Sequence, residues 1–216
     1  MNYKIENFPA MPDALKEACR SSIKNTRSLV KLSYGDENFA GSNWDIRPQH
    51  FPDHLGFEKT QDMYQYIKNR DDQFVTFSIH ETPQDVKDWF IATIKPLIQT
   101  QYRVDRISLF VISGGNIGYP HIDPTPAVFN FMIDTSGDKV VTQFWKIKEQ
   151  FKEQKIYPIN IYPYEKLELV DEVNVPVNTW VFLKVSELHS ISGLDPDKPR
   201  IILQVEVTEQ PLAVPE

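Results

Sequence analysis

From Arg106 onward the chain repeats one pattern, in which short runs rich in β-branched and aromatic residues are cut apart by turn signals. The runs are RISLFVIS, AVFNFMID, KVVTQFWKI, LELVDEVNV, TWVFLKV and RIILQVEV, a residue choice that suits a pleated, half-buried surface. Between them stand GGNIG, TSGD, PVN and GLDPDKP, whose Gly, Asn, Asp and Pro residues reverse the chain. Six such runs in about 100 residues, with no helical pattern of comparable strength between most of them, point to an antiparallel sandwich or jelly roll.

The preceding residues carry the helical signals. Leu15, Ala18, Cys19 and Ile23 share one face if Pro12 to Lys24 is helical. A second helix is expected over Thr82 to Gln101, with Thr82 as cap, Pro83 at the first helical position and Asp85 at the positive end. Val86, Trp89, Phe90, Thr93, Ile94 and Leu97 then line one face, and Pro96 should bend or break the helix near its end. The expected organisation is therefore a helical and mixed region over 1–105 that buttresses a β core over 106–208, with a tail at 209–216. Residues 146–168, charged and then Tyr/Pro-rich, form an excursion between core strands. Such a segment is a solvated loop or short helix, or else it shapes a substrate site.

Composition narrows the chemistry. The 216 residues carry 23 basic and 30 acidic side chains, a net charge of −7 with no long Lys/Arg cluster, which argues against nucleic acid as a partner. Cys19 is the sole cysteine, so neither an intrachain disulfide nor a thiolate zinc site can be built. The start, MNYKIENFPAMPD, lacks the form of a secretory signal, and nothing approaches the roughly 18 apolar residues of a membrane span. A reducing, cytoplasmic setting is the expectation.

One constellation stands out. In GYPHID, His121 and Asp123 lie two positions apart after the strand 106–113, and in extended chain such residues project to the same side. A third ligand is offered by His189 in SELHSISG, 66 positions on (189 − 123). Two imidazoles and a carboxylate leave coordination positions open, the pattern of non-haem Fe(II) oxygenases. Arg200 follows 11 positions later (200 − 189), through the turn GLDPDKP. If the two segments pair as a hairpin, its guanidinium can face the same cavity, where a carboxylate would be gripped through two parallel hydrogen bonds. The bland alternative is an arginine reaching solvent, Asp195 or Asp197.

In order and spacing these residues resemble the 2-oxoglutarate and Fe(II)-dependent dioxygenases: His-x-Asp, a distal His and a basic residue about ten positions later. The match covers roughly 106–208. HIDPTPAVFNFMID followed by TQFW is similar to small prolyl-hydroxylase-like and aspartyl-hydroxylase-like members, some of them phage-encoded. The resemblance implies a double-stranded β-helix, a cupin-like jelly roll, with His121, Asp123 and His189 on the metal and Arg200 on the C5 carboxylate of 2-oxoglutarate. It also implies a second polar contact to that co-substrate from Asn130. The implied partners are dioxygen, 2-oxoglutarate and a prime substrate, either a protein side chain or a small molecule, that undergoes hydroxylation. One departure is Ile202, where some relatives place Ser or Thr to share the carboxylate; Tyr119 or Thr142 could replace it.

Other readings remain open on the sequence. A cupin-like metal enzyme that does not use 2-oxoglutarate would share the jelly roll, as would a non-catalytic binding protein whose triad is coincidental. His50, His54 and His80 read as surface or core histidines, and Trp44, Trp89, Trp145 and Trp180 as packing residues, with Trp145 nearest the metal segment in the expected sheet. No phosphate loop follows GGNIG, and no Gly-x-Ser-x-Gly elbow is present.

Overall fold

The strand that organises the molecule is the last one described, Arg200–Glu209 (β13), because each of its faces serves a different layer. Ile201, Leu203, Val205 and Val207 are buried in the core beneath the helices. Arg200, Ile202, Gln204 and Glu206 face a cavity between two sheets. The alternation follows from the two-residue period of a strand. A computed structural model describes residues 1–25, 30–33, 76–113, 117–148, 154–156, 159–162, 166–195 and 197–210.

The other strands are Tyr3–Glu6 (β1), Val30–Ser33 (β2), Thr76–Glu81 (β3), Tyr102–Ser113 (β4), Ile117–Ile122 (β5), Ala127–Thr135 (β6) and Val141–Ile147 (β7), followed by Gln154–Ile156 (β8), Ile159–Ile161 (β9), Leu167–Val173 (β10), Trp180–Leu183 (β11) and His189–Ser192 (β12). They form one sheet in the order β1-β11-β6-β13-β4-β3-β2 and a second in the order β10-β7-β12-β5-β9-β8. The central four of the first sheet, β11-β6-β13-β4, lie over β10-β7-β12-β5 of the second. From β4 onward the chain passes repeatedly between the two. Eight core strands wound this way are a jelly roll, or double-stranded β-helix. The protein is mainly β, as expected, with helices backing one face.

The described N-terminal strands extend the large sheet. β1 pairs with β11, and β3 pairs with β4. Helix Asp13–Asn25 (α1) and the shorter helix Gln84–Trp89 (α2) cover the outer face of the large sheet, where Cys19, Val86, Phe90 and Ile94 pack with Leu203 and Val205. Polar contacts fix α1 in place: Arg20 donates Nε and Nη2 to the two carboxylate oxygens of Asp134 at 2.9 and 2.8 Å, and Lys16 Nζ donates to Asn178 Oδ1 at 2.6 Å. Trp180 is stacked on Trp89 at the end of α2 and tilted against Phe90, with its indole N–H donating to the Pro9 carbonyl at 3.0 Å.

Two expectations need correction. The second helix does not run to Gln101: α2 gives way to a π segment at Phe90–Ile94 and a 3₁₀ turn at Lys95–Leu97. Each change of hydrogen-bond period rotates the face, so Ile98 is buried and Leu97 is 47% exposed. Pro83 occupies the cap position, and Thr82 makes no cap bond. The excursion at 146–168, expected as a loop or short helix, contributes strands where it is described; β8 and β9 pair antiparallel and join the small sheet, with Ile161 directly opposite His121. Trp44, His50 and His54 lie outside the described residues, as do Gly114 and Gly115. No helix among the described residues is long and apolar enough to cross a membrane.

Candidate metal centre

The pairing of β12 with β5 sets His189 directly opposite His121. Asp123 follows β5 immediately, and its backbone N–H donates to the Val185 carbonyl at 2.9 Å, which holds the segment after the strand against the approach to β12. His121 Nε2 lies 3.5 Å from Asp123 Oδ1, and His189 Nε2 lies 3.8 Å from Asp123 Oδ2. The two rings are 4.4 Å apart between centroids, inclined at 49°. One donor atom from each residue falls within 4.8 Å of the others, close enough for all three to bind one ion.

His189 is oriented for that role. Its Nδ1 is 2.9 Å from the Glu187 carbonyl, and a carbonyl oxygen only accepts, so Nδ1 carries the proton and the Nε2 lone pair faces Asp123. Burial, together with the neighbouring His121, pulls the His189 pKa down from 6.5 to about 4, against the opposing pull of Asp123. A neutral imidazole is the form that ligates metals.

The triad opens on a cavity of about 340 Å³ between the sheets, lined also by Arg200, Asn130 and Thr142. Arg200 is 3% exposed, with Nη2 3.4 Å from the Met132 sulfur and with no hydrogen-bond partner for Nε. Burial lowers its pKa to about 10, which still leaves it charged near neutral pH. The bland alternative is set aside, since the side chain reaches neither solvent nor the aspartates of its turn. Asn130 is buried with Oδ1 unpaired. Thr142, one of the hydroxyls considered as a substitute at Ile202, is buried on the cavity wall, and Tyr119 lies outside the described side chains.

The turn before Arg200 is fixed as firmly as the strand. Ser136 Oγ donates to the Lys198 carbonyl at 2.6 Å, and the Asp195 N–H donates to the Ser136 carbonyl at 3.0 Å. Gly193 has φ +76°, and a Cβ there would lie 2.2 Å from the Lys139 carbonyl oxygen. Only glycine fits that position.

Several cavity residues escaped the motif reading. Gln204 and Glu206 follow Arg200 at even spacing on β13, and Arg106 faces Glu206 across the β13–β4 pair. Extending the two-residue period beyond Arg200 would have found them. Ser190, also on the wall, accepts a hydrogen bond from the Trp145 indole at 2.8 Å, which gives that tryptophan a polar contact beside His189. His80 lies off the cavity, buried, with Nε2 3.1 Å from Ser78 Oγ.

No protein-family model matches the sequence, and no curated protein matches it. Among solved structures, the chain is similar to the non-heme alpha ketoglutarate dependent epimerase SnoN from nogalamycin biosynthesis, at 14% identity over 96% of this chain and 78% of that one, with a TM-score of 0.47. It is similar to AviO1 from Streptomyces viridochromogenes Tue57, at 11% identity over 99% and 92% of the two chains, with a TM-score of 0.48. A third likeness is to ycfD from E. coli, at 13% identity over 98% of this chain and 50% of that one, with a TM-score of 0.43. These scores are low, and the fold assignment rests on the strand order.

Proposed function

We propose that this chain is a member of the 2-oxoglutarate and Fe(II)-dependent dioxygenases, one that couples oxidative decarboxylation of 2-oxoglutarate to hydroxylation of a prime substrate. The observation that carries the reading is Arg200. A guanidinium buried to 3% exposure, with a thioether for company and Nε unpaired, is costly unless an anion joins it. It shares its cavity with the triad. An arginine fork and an open metal site in one chamber suit a ligand with a carboxylate at one end and chelating oxygens at the other.

The donor set fits Fe(II). Two neutral imidazoles and one carboxylate, without thiolate, suit a divalent iron that keeps open positions. His121, Asp123 and His189 would hold the metal, and Arg200 the C5 carboxylate, with Asn130 as a second polar contact. When bound, the iron supplies the activation of dioxygen, one oxygen atom passing to succinate as carbon dioxide leaves and the other to the hydroxyl of the product.

This chain's own residues provide geometry and exclude water. The Glu187 carbonyl fixes the ring of His189, and the Val185 carbonyl fixes the backbone at Asp123. Ile112, Ile202 and Leu183 give the chamber apolar walls, which strengthen the attraction between Arg200 and a carboxylate by keeping competing water away.

The test is titration of anaerobic Fe(II)-loaded protein with 2-oxoglutarate, watching for the metal-to-ligand charge-transfer band of a chelated keto acid. A saturable band is expected. Protein that binds iron but gives no band at saturating 2-oxoglutarate would remove the reading and favour a cupin-like metal enzyme of another kind.

A further inference from the structure

Arg200 and Glu206 are both on the cavity face of β13, six residues apart, or about 20 Å along an extended strand at roughly 3.3 Å per residue. A five-carbon dicarboxylate anchored at Arg200 cannot span that distance. The polar groups beyond Ile202 therefore face whatever else enters the chamber.

Those groups are ordered. Gln204 is opposite Asn130 on one side, and Glu206 is opposite Arg106 on the other. Arg106 donates Nε to Glu206 Oε1 at 3.0 Å, and its Nη2 donates to the same oxygen, so the pair leaves Glu206 Oε2 outside its bonds. The acid is the inner partner, with a side chain 15% exposed, and the arginine is the outer one at 52%. With the Gln204 amide beside Glu206 on the cavity face of β13, the inner wall offers acceptors and the rim offers a cation. At about 340 Å³ the chamber is near the lower end of ligand sites and must also admit the co-substrate, which favours a small prime substrate.

Resting on the oxygenase reading, we propose that the prime substrate is a small zwitterion of the free amino acid class, its ammonium held by Glu206 and its carboxylate by Arg106. An ammonium brings three donors to a wall of acceptors, and a carboxylate matches the guanidinium fork. The substrate's side chain is then directed across the chamber toward the triad.

The test uses the full chain loaded with Mn(II) and 2-oxoglutarate without oxygen, titrated calorimetrically with the common free L-amino acids and with their N-acetyl and carboxamide forms. At least one free amino acid should bind, and blocking either end should weaken it about tenfold or more, the scale of one lost charged contact. Glu206→Gln should abolish discrimination against the N-acetyl form, and Arg106→Gln discrimination against the carboxamide. Exchanging the charges in the Arg106→Glu, Glu206→Arg double variant keeps a cross-strand ion pair but reverses its polarity. Binding should then be lost although the fold is kept. The proposal is overturned if no free amino acid binds to protein that gives the charge-transfer band with Fe(II) and 2-oxoglutarate, if blocked forms bind equally well, or if the exchanged variant binds normally. Loss of the band itself would instead overturn the oxygenase reading on which the proposal rests.

Discussion

His189 is directly across the antiparallel β12–β5 pair from His121, and Asp123 closes the triangle from the residue just past β5. His121 and Asp123 come from one stretch of backbone and His189 from another, and the β12–β5 pairing holds the two stretches together. Replacing any one by alanine is expected to reduce Fe(II) binding by at least tenfold without unfolding the protein, as read by metal content after gel filtration and by circular dichroism.

Arg200 pulls stability and ligand binding in opposite directions. In the ligand-free protein its guanidinium is buried and incompletely paired, so Arg200→Met, of similar length, should raise the thermal midpoint by an amount equivalent to about 1 kcal/mol or more. The same change should weaken 2-oxoglutarate by roughly 30-fold or more, because truncating one partner of a buried charge pair costs about 2–5 kcal/mol. Fe(II) affinity should be preserved. Parallel calorimetry with metal alone and with metal plus 2-oxoglutarate separates the two effects.

The metal-free protein should lose stability on mild acidification. Burial lowers the His189 pKa from 6.5 to about 4, so the unfolded chain takes up its proton first. The contribution is present above pH 6.5 and is lost as pH falls toward 4, by roughly 3 kcal/mol at most. His80, also lowered by burial, adds a change of the same sign. The carboxylates of Asp13, Asp105 and Asp195 are lowered from 3.8 and act below this window. Denaturant midpoints measured across the window should fall, and most of that slope should vanish in His189→Ala.

Gly193→Ala should destabilise the protein by more than about 2 kcal/mol, since φ +76° strains any residue with a Cβ and the new carbon meets the Lys139 carbonyl. The turn it belongs to delivers Arg200, so any surviving folded variant should also bind 2-oxoglutarate more weakly. Gly137, whose added Cβ would have 3.8 Å to its nearest neighbour, Asp195, should be milder despite φ +126°.

The parts read correctly from sequence are those governed by local periodicity or by a fixed spacing. His121 and Asp123 can face one ion because they stand two positions apart at the end of β5. The expected hairpin of His189 with Arg200 does not form, since β12 and β13 belong to opposite sheets, and Arg200 reaches the chamber of His189 from across it. Thr82 to Gln101 failed as one helix because the π and 3₁₀ segments exchange Leu97 for Ile98 at the core, although the break near its end falls at Pro96, where the sequence placed it. The β8–β9 hairpin escaped notice because its charge and prolines resemble loop composition, whereas its pairing with β5 is a long-range event. Arg106 and Glu206 are 100 residues apart, and nothing local announces that they meet.

β13 lies between β6 and β4 in the middle of the large sheet, yet it emerges from the ribosome after both. Those two strands have no direct partner in each other, so until β13 arrives each must wait with an unsatisfied edge, and a nascent chain stopped before it lacks the sheet's centre. β1, similarly, waits for β11, some 170 residues later (180 − 6 = 174). Such distant pairings make for slow closure with open edges exposed meanwhile. The centre of the large sheet can therefore close only after Glu209 has left the ribosome.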